Sequence, residues 1–319
     1  MSSPCLRPAG AMRLALIAIA MTACTSSTSN KGGSAHKALY VVNNDSASIS
    51  IFEAATTSSS TPIDRISGAS TGLLTPAWIT TDSIGNIYVT DPIANSITVF
   101  AAGAKGNSAP TATIQGSSTL LDAPGGIAVD RSGVIYVSGL NPGMIEAFAP
   151  GANGNVPPLF TISGNTTSLG KPRGIVRDAG GNLYVANQAA NSITVYQPGW
   201  SGNHTPDHII MGAATGLDGP TGIALAWTGQ IVVTNVIGNS VTVFDHGAIG
   251  NATPLSIISG ASTGLNAPRG VAVDSAGQIF VANTGTNTVL IFAPGASGNV
   301  APIAMLTSAQ LGSPVGASF

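Results

Sequence analysis

The sequence predicts an all-β fold: a six-bladed β-propeller of four-stranded blades, its first blade closed by N-terminal strands plus the C-terminal strand. Three observations predict it. Pro76, Pro124, Pro172, Pro220 and Pro268 stand 48 residues apart, and almost every residue class between them recurs at the same offset. Each interval holds four short apolar stretches, such as Ile87 to Val89 and Ile97 to Phe100, bounded by Gly, Asn, Asp and Pro. Such stretches read as strands, and four strands per repeat of this length select a propeller over a helical solenoid. The two ends of the chain supply complementary parts of one more repeat.

Residues 1–23 read as a signal peptide. Arg7 and Arg13 precede the apolar run Leu14 to Ala23, which has the length of a signal h-region and falls short of a bilayer span. Met12 is an alternative start that leaves a short basic n-region. The run ends in Met21-Thr22-Ala23-Cys24, which resembles a bacterial lipobox with Met in place of the usual Leu. Cys24 is therefore the expected lipidation site, with plain secretion as the alternative. Residues 24–35 form a Ser, Thr and Gly tether that cannot bury a core. Cys5 and Cys24 are the only cysteines, so a processed chain has no disulfide available.

The propeller is expected over residues 36–319. Before Pro76 the chain supplies LYVVN, SISIF and PIDRISG, matching second, third and fourth strands. After Pro314 it supplies only VGASF, matching a first strand. Val315 to Phe319 should pair with the strand around Leu39 to Val42 and close the ring without an exposed edge.

Composition narrows the function. Charged residues make up only 8% of the chain, far below the ordinary share, so Gly, Ser, Thr and Asn must cover the surface. Without residues 1–23, 9 basic residues face 13 acidic ones. A weakly acidic domain lacks the clustered cations that phosphate backbones require, so no nucleic acid is expected as a partner.

Most repeated polar residues read as turn chemistry. Asp82, Asp130, Asp178 and Asp274 each stand three residues before a glycine, where a carboxylate accepts turn N–H groups and Gly supplies a positive φ. Asp91, Asn187, Asn235 and Asn283 open the next hairpin, and Asn95, Asn191, Asn239 and Asn287 close it. These also read as turn residues. No cofactor is expected; calcium or another divalent metal on such oxygen ligands is the alternative.

The run P-x-G-I-A-V-D-x-x-G-x-I-Y-V-A-N followed by N-S-I-T-V-F resembles the NHL repeat, with copies at Pro124 to Val137, Pro172 to Tyr196 and Pro268 to Phe292. That resemblance implies a six-bladed propeller and leaves the activity open, since NHL proteins include binding modules, sensors and enzymes. Propeller lyases and lactonases place His, Glu or metal ligands at the channel mouth. Here His36 lies in the tether, while His204, His208 and His246 lie in outer hairpins, and neither Glu53 nor Glu146 falls on a first strand. No catalytic residue and no metal ligand is assigned.

The informative positions are those where one blade differs. The residue after each landmark proline is Ala77, Gly125, Arg173, Thr221, Arg269 and Val315, placing two arginines at the channel mouth with Lys171 beside one of them. Arginine offers a planar fork for carboxylate or phosphate. Arg177 replaces an aliphatic residue of other first strands, either as part of a site or as an ion-pair partner of Asp178 or Asp130. Trp78 fills a slot that is Gly in every other blade, as a floor of the channel or as packing. Trp200 is expected exposed, as a contact residue. The candidate ligand-binding residues are thus Trp78, Lys171, Arg173, Arg177 and Arg269. The expected protein is a monomeric, exported, lipid-anchored binding or scaffolding module of a bacterial cell envelope, taking an envelope protein or a small molecule. A metal-dependent hydrolase or lyase is the alternative.

Overall fold

The computed structural model describes residues 38–53, 61–307, 309 and 311–319, so the expected signal peptide over 1–23, Cys24, the expected tether and His36 lie outside the described residues. The described residues form six antiparallel four-stranded sheets, four of the connections between them carrying a short 3₁₀ turn. No helix among them is long and apolar enough to cross a membrane.

Blade one combines Leu39–Asn43, Ser48–Phe52 and Asp64–Ile66 with the C-terminal strand Pro314–Ser318. Val41 pairs with Ala317 and Val42 with Gly316, which is the closure the sequence predicts. Phe319 adds to it. Its ring meets Phe280 of blade six edge-on at 4.8 Å, and its carbonyl accepts a 2.6 Å bond from Thr81 of blade two. Blades two to six begin with the first strands Trp78–Thr81, Pro124–Val129, Pro172–Arg177, Pro220–Leu225 and Pro268–Val273. These strands contact one another around the axis and all run the same way. The ring therefore has a proline face, where they start, and an aspartate face, where they end.

The core lies between neighbouring blades. Phe52, Phe100, Phe148, Tyr196, Phe244 and Phe292, the last residues of the third strands, are all but fully buried and recur with the repeat. Between blades four and five, for example, Ile193, Ile210, Ile223, Ile231 and Phe244 pack into one cluster. Burial of these large side chains, at about 1.5–3 kcal/mol each, stabilises the ring more than its few ion pairs do.

Polar repeats tie the blades together. Asn155, Asn203, Asn251 and Asn299 of the Gly-Asn turns each accept a backbone N–H from the turn after the fourth strand of the preceding blade, as in Ser262 to Asn299 at 2.7 Å. The glycine facing each such Asn has no room for a side chain: a Cβ on Gly260, at φ +114, would stand 2.6 Å from Asn299 Oδ1. Asn95, Asn191, Asn239 and Asn287 each accept an N–H from the residue just before the next landmark proline. The aspartates cap their hairpins: Asp82 accepts from Ile84 N, Asn86 N and the Tyr88 hydroxyl.

Candidate functional site

The proline-face mouth is built by the residues that follow the landmark prolines. Their backbones are fixed from the neighbouring blade: Ser138 Oγ donates to the Arg173 carbonyl at 2.5 Å, and Thr234 Oγ1 donates to the Arg269 carbonyl. Both arginines are half-buried. Arg173 Nε donates to Gln188 Oε1 at 3.0 Å, and the Gln188 N–H donates to the Lys171 carbonyl at 3.2 Å. Gln188 thus couples the two basic positions of blade four.

Among the described residues neither Arg173 nor Arg269 has a carboxylate partner. Burial, and then the charge of Arg269, hold the Arg173 guanidinium below its ordinary range. Two cations that repel each other at a half-buried mouth are relieved by an anion placed between them. Lys171 is exposed beside them at φ +50. Behind the mouth the channel holds a cavity of about 270 Å³ lined chiefly by aliphatic side chains, among them Ile127, Ile175, Val176, Ile223 and Val271.

Trp78 also borders this cavity and packs into the core between blades two and three. The strand that carries it is also paired differently from its counterparts. In blades three to six a bulge follows the landmark proline, which itself pairs with the second strand. In blade two the strand starts only at Trp78, paired directly with Thr90.

Arg177 is not part of the mouth. It lies at the aspartate end of its strand, pairs with Asp130 of blade three, and places its guanidinium 5.0 Å from the Tyr136 ring centroid. Of its two readings, the ion pair is the one the structure displays. Trp200 is a correction: it is half-buried rather than exposed, stacks on His204 at 3.6 Å and donates to Asp207 at 2.6 Å. Among the described residues no group of three or more His, Cys, Asp or Glu side chains comes together to hold a metal ion.

Two residues were missed. Gln188 stands where other blades carry Pro92, Leu140, Val236 or Thr284, so comparing hairpins would have found it. Glu146 is fully buried on the third strand of blade three, and neither carboxylate oxygen has a hydrogen-bond partner. Burial, with a further contribution from Asp122, pushes its carboxyl up to about 8.

Comparison with known proteins agrees with the fold. Residues 265–292 match the family model of the NHL repeat. No curated protein sequence matches the chain. A solved Bacteroides caccae protein of unknown function is similar over 88% of this chain and 97% of its own, with a TM-score of 0.65 and 10% identity. The nidogen/laminin complex includes a chain with a TM-score of 0.64 and 19% identity, covering 88% of this chain and 97% of that one. Virginiamycin B lyase from Staphylococcus aureus has a TM-score of 0.57 and 15% identity over 84% of this chain and 86% of its own.

Proposed function

We propose that this NHL-repeat propeller is an exported, membrane-anchored binding or scaffolding module whose proline face receives a carboxylate or phosphate group of a small ligand or of an envelope protein. The observation that carries the reading is the pair Arg173 and Arg269, half-buried, mutually repelling and without a carboxylate partner among the described residues. Sequestering an anion there removes the repulsion and uses the planar forks of both side chains. Gln188 holds one fork in place. Anchoring follows from the lipobox-like Met21-Thr22-Ala23-Cys24, and mass spectrometry of the mature N-terminus tests it.

The anion reading is tested by titrating the protein with citrate and with phosphate while following thermal unfolding. Stabilisation by either anion is expected, and the Arg173→Ala, Arg269→Ala double variant should lose it while keeping its own melting temperature. If the double variant responds to both anions as the native chain does, the mouth is not the site. A crosslinking pull-down from envelope fractions then identifies a protein partner. A metal-dependent hydrolase or lyase is supported by fold likeness alone, and stoichiometric metal near the axis of the purified protein would favour it.

A further inference from the structure

Blade five breaks the repeat on the aspartate face. Its first strand leads into Ala226, where other blades carry Asp82, Asp130, Asp178 and Asp274, and its second strand carries Val232 in the slot of Tyr88, Tyr136 and Tyr184. The tyrosine-to-carboxylate bond that closes this end of blade four, Tyr184 to Asp178 at 3.2 Å, therefore has no counterpart in blade five. Next to Ala226 stands Trp227, in a slot held elsewhere by Ser83, Arg131, Ala179 and Ser275. Trp227 is 77% exposed. An indole laid out in water contributes little to folding, and what singles this one out is the groove it borders.

Trp227 borders a groove of about 510 Å³ whose other walls include Arg177, Asp178, Gly180 and His246. His246 takes a place held by Pro150, Pro198 and Pro294 in neighbouring repeats. Its ring lies against Gly229, where a Cβ would meet Cδ2 at 2.8 Å, and its Nε2 stands 3.8 Å from Asp178 Oδ2. Arg177 is paired with Asp130, while Asp178 accepts only neutral donors, Asn182 and Tyr184, and keeps its negative charge beside His246. Beyond Arg177 and Asp178 lies a second hollow of about 470 Å³ bounded by Asp130, Arg131 and Ser132.

A flat exposed indole beside a fixed carboxylate acceptor and an imidazole suits a ligand with an apolar face and a hydroxyl-bearing rim, which describes a pyranose ring. We infer that the groove between blades four and five is a carbohydrate-binding site. Trp227 is its stacking platform, and Asp178 and His246 take the sugar hydroxyls. The second hollow gives room for further rings, so an oligosaccharide should bind more tightly than its monomer. This site lies on the face opposite Arg173 and Arg269 and is independent of the anion reading.

Calorimetric titration of the full chain with chitotriose, maltotriose, mannotriose and galactotriose tests it. At least one trisaccharide should bind, with a change in tryptophan fluorescence. Trp227→Ala should weaken that sugar about tenfold or more while leaving thermal unfolding unchanged, and Trp227→Phe should recover most of the loss. The Arg173→Ala, Arg269→Ala variant should bind the sugar normally, so this inference and the proposed anion site fail separately. If none of the four binds, or if Trp227→Ala binds as the native chain does, the assignment is overturned.

Discussion

Glu146 fills the space that Gly139 leaves: a Cβ on Gly139 would stand 2.9 Å from Glu146 Oε1 and 3.3 Å from Oε2. In blade four the corresponding residues are Asn187 and Thr194, whose side chains bond each other at 3.1 Å while Asn187 also accepts the Gly170 N–H. Blade three has exchanged that clasp for a glycine and a buried carboxyl group.

The exchange makes stability depend on pH. With its carboxyl pushed up to about 8, against an ordinary value of 4.5, folded Glu146 holds a proton that the unfolded chain has lost. Its contribution is therefore full below about 4.5 and is lost as the pH rises through about 8. Urea unfolding should show a decline on the order of 3–5 kcal/mol between pH 4.5 and 8 from this group. Glu146→Gln, which keeps the shape and cannot ionise, should flatten that decline and exceed the native chain in stability at pH 9.

Glycines of the inner ring should differ in their tolerance of a methyl group. A Cβ on Gly270 would meet Val315 O at 2.5 Å and Gly316 Cα at 2.7 Å, all backbone, whereas one on Gly316 would meet Ala77 O only at 3.0 Å. Gly270→Ala should cost about 2–3 kcal/mol and Gly316→Ala distinctly less. Equal costs in chemical denaturation would show that the ring adjusts evenly.

Ring closure by the last strand should be essential to stability. Removing residues 314–319 strips the partner from Tyr40 to Asn43 and the packing of Phe319 on Phe280. We expect a loss of about 3 kcal/mol or more and a lower thermal midpoint. A truncated chain that melts with the native one would refute the closure.

The Arg177–Asp130 pair should matter at neutral pH and fade in acid. Burial opposes ionisation of Asp130, but hydrogen bonds from Ser132 and Val134 and the charge of Arg177 outweigh it and hold the carboxyl below its usual range. Its contribution is present above the unfolded value near 3.8 and is lost as the pH falls through the lower folded value. Arg177→Met should therefore cost about 1–3 kcal/mol at pH 7 and much less at pH 2.

The channel mouth was partly legible in the sequence. Arg173 and Arg269 share an offset from their prolines, so the repeat alone puts both at the same end of the first strands of blades four and six, with Thr221 of blade five between them. Arg177, four residues on, could not be separated from them by counting. Only the strand direction and the position of Asp130 show that it belongs to the opposite face. Glu146 stayed hidden because it departs from the repeat together with Gly139, and the exchange is visible only when second and third strands are paired.

By itself the sequence determined the ring: a 48-residue spacing of prolines, glycines and alternating apolar strands admits one closed arrangement, because each element is local and repeated. The tertiary structure alone decided the partners of the exceptions. Trp227 meets a groove shared with blade four, Arg173 is left facing Arg269, and Glu146 is enclosed without a donor. Such contacts join residues far apart in the chain, and whether a side chain is paired, enclosed or open depends on what the neighbouring blade brings to it.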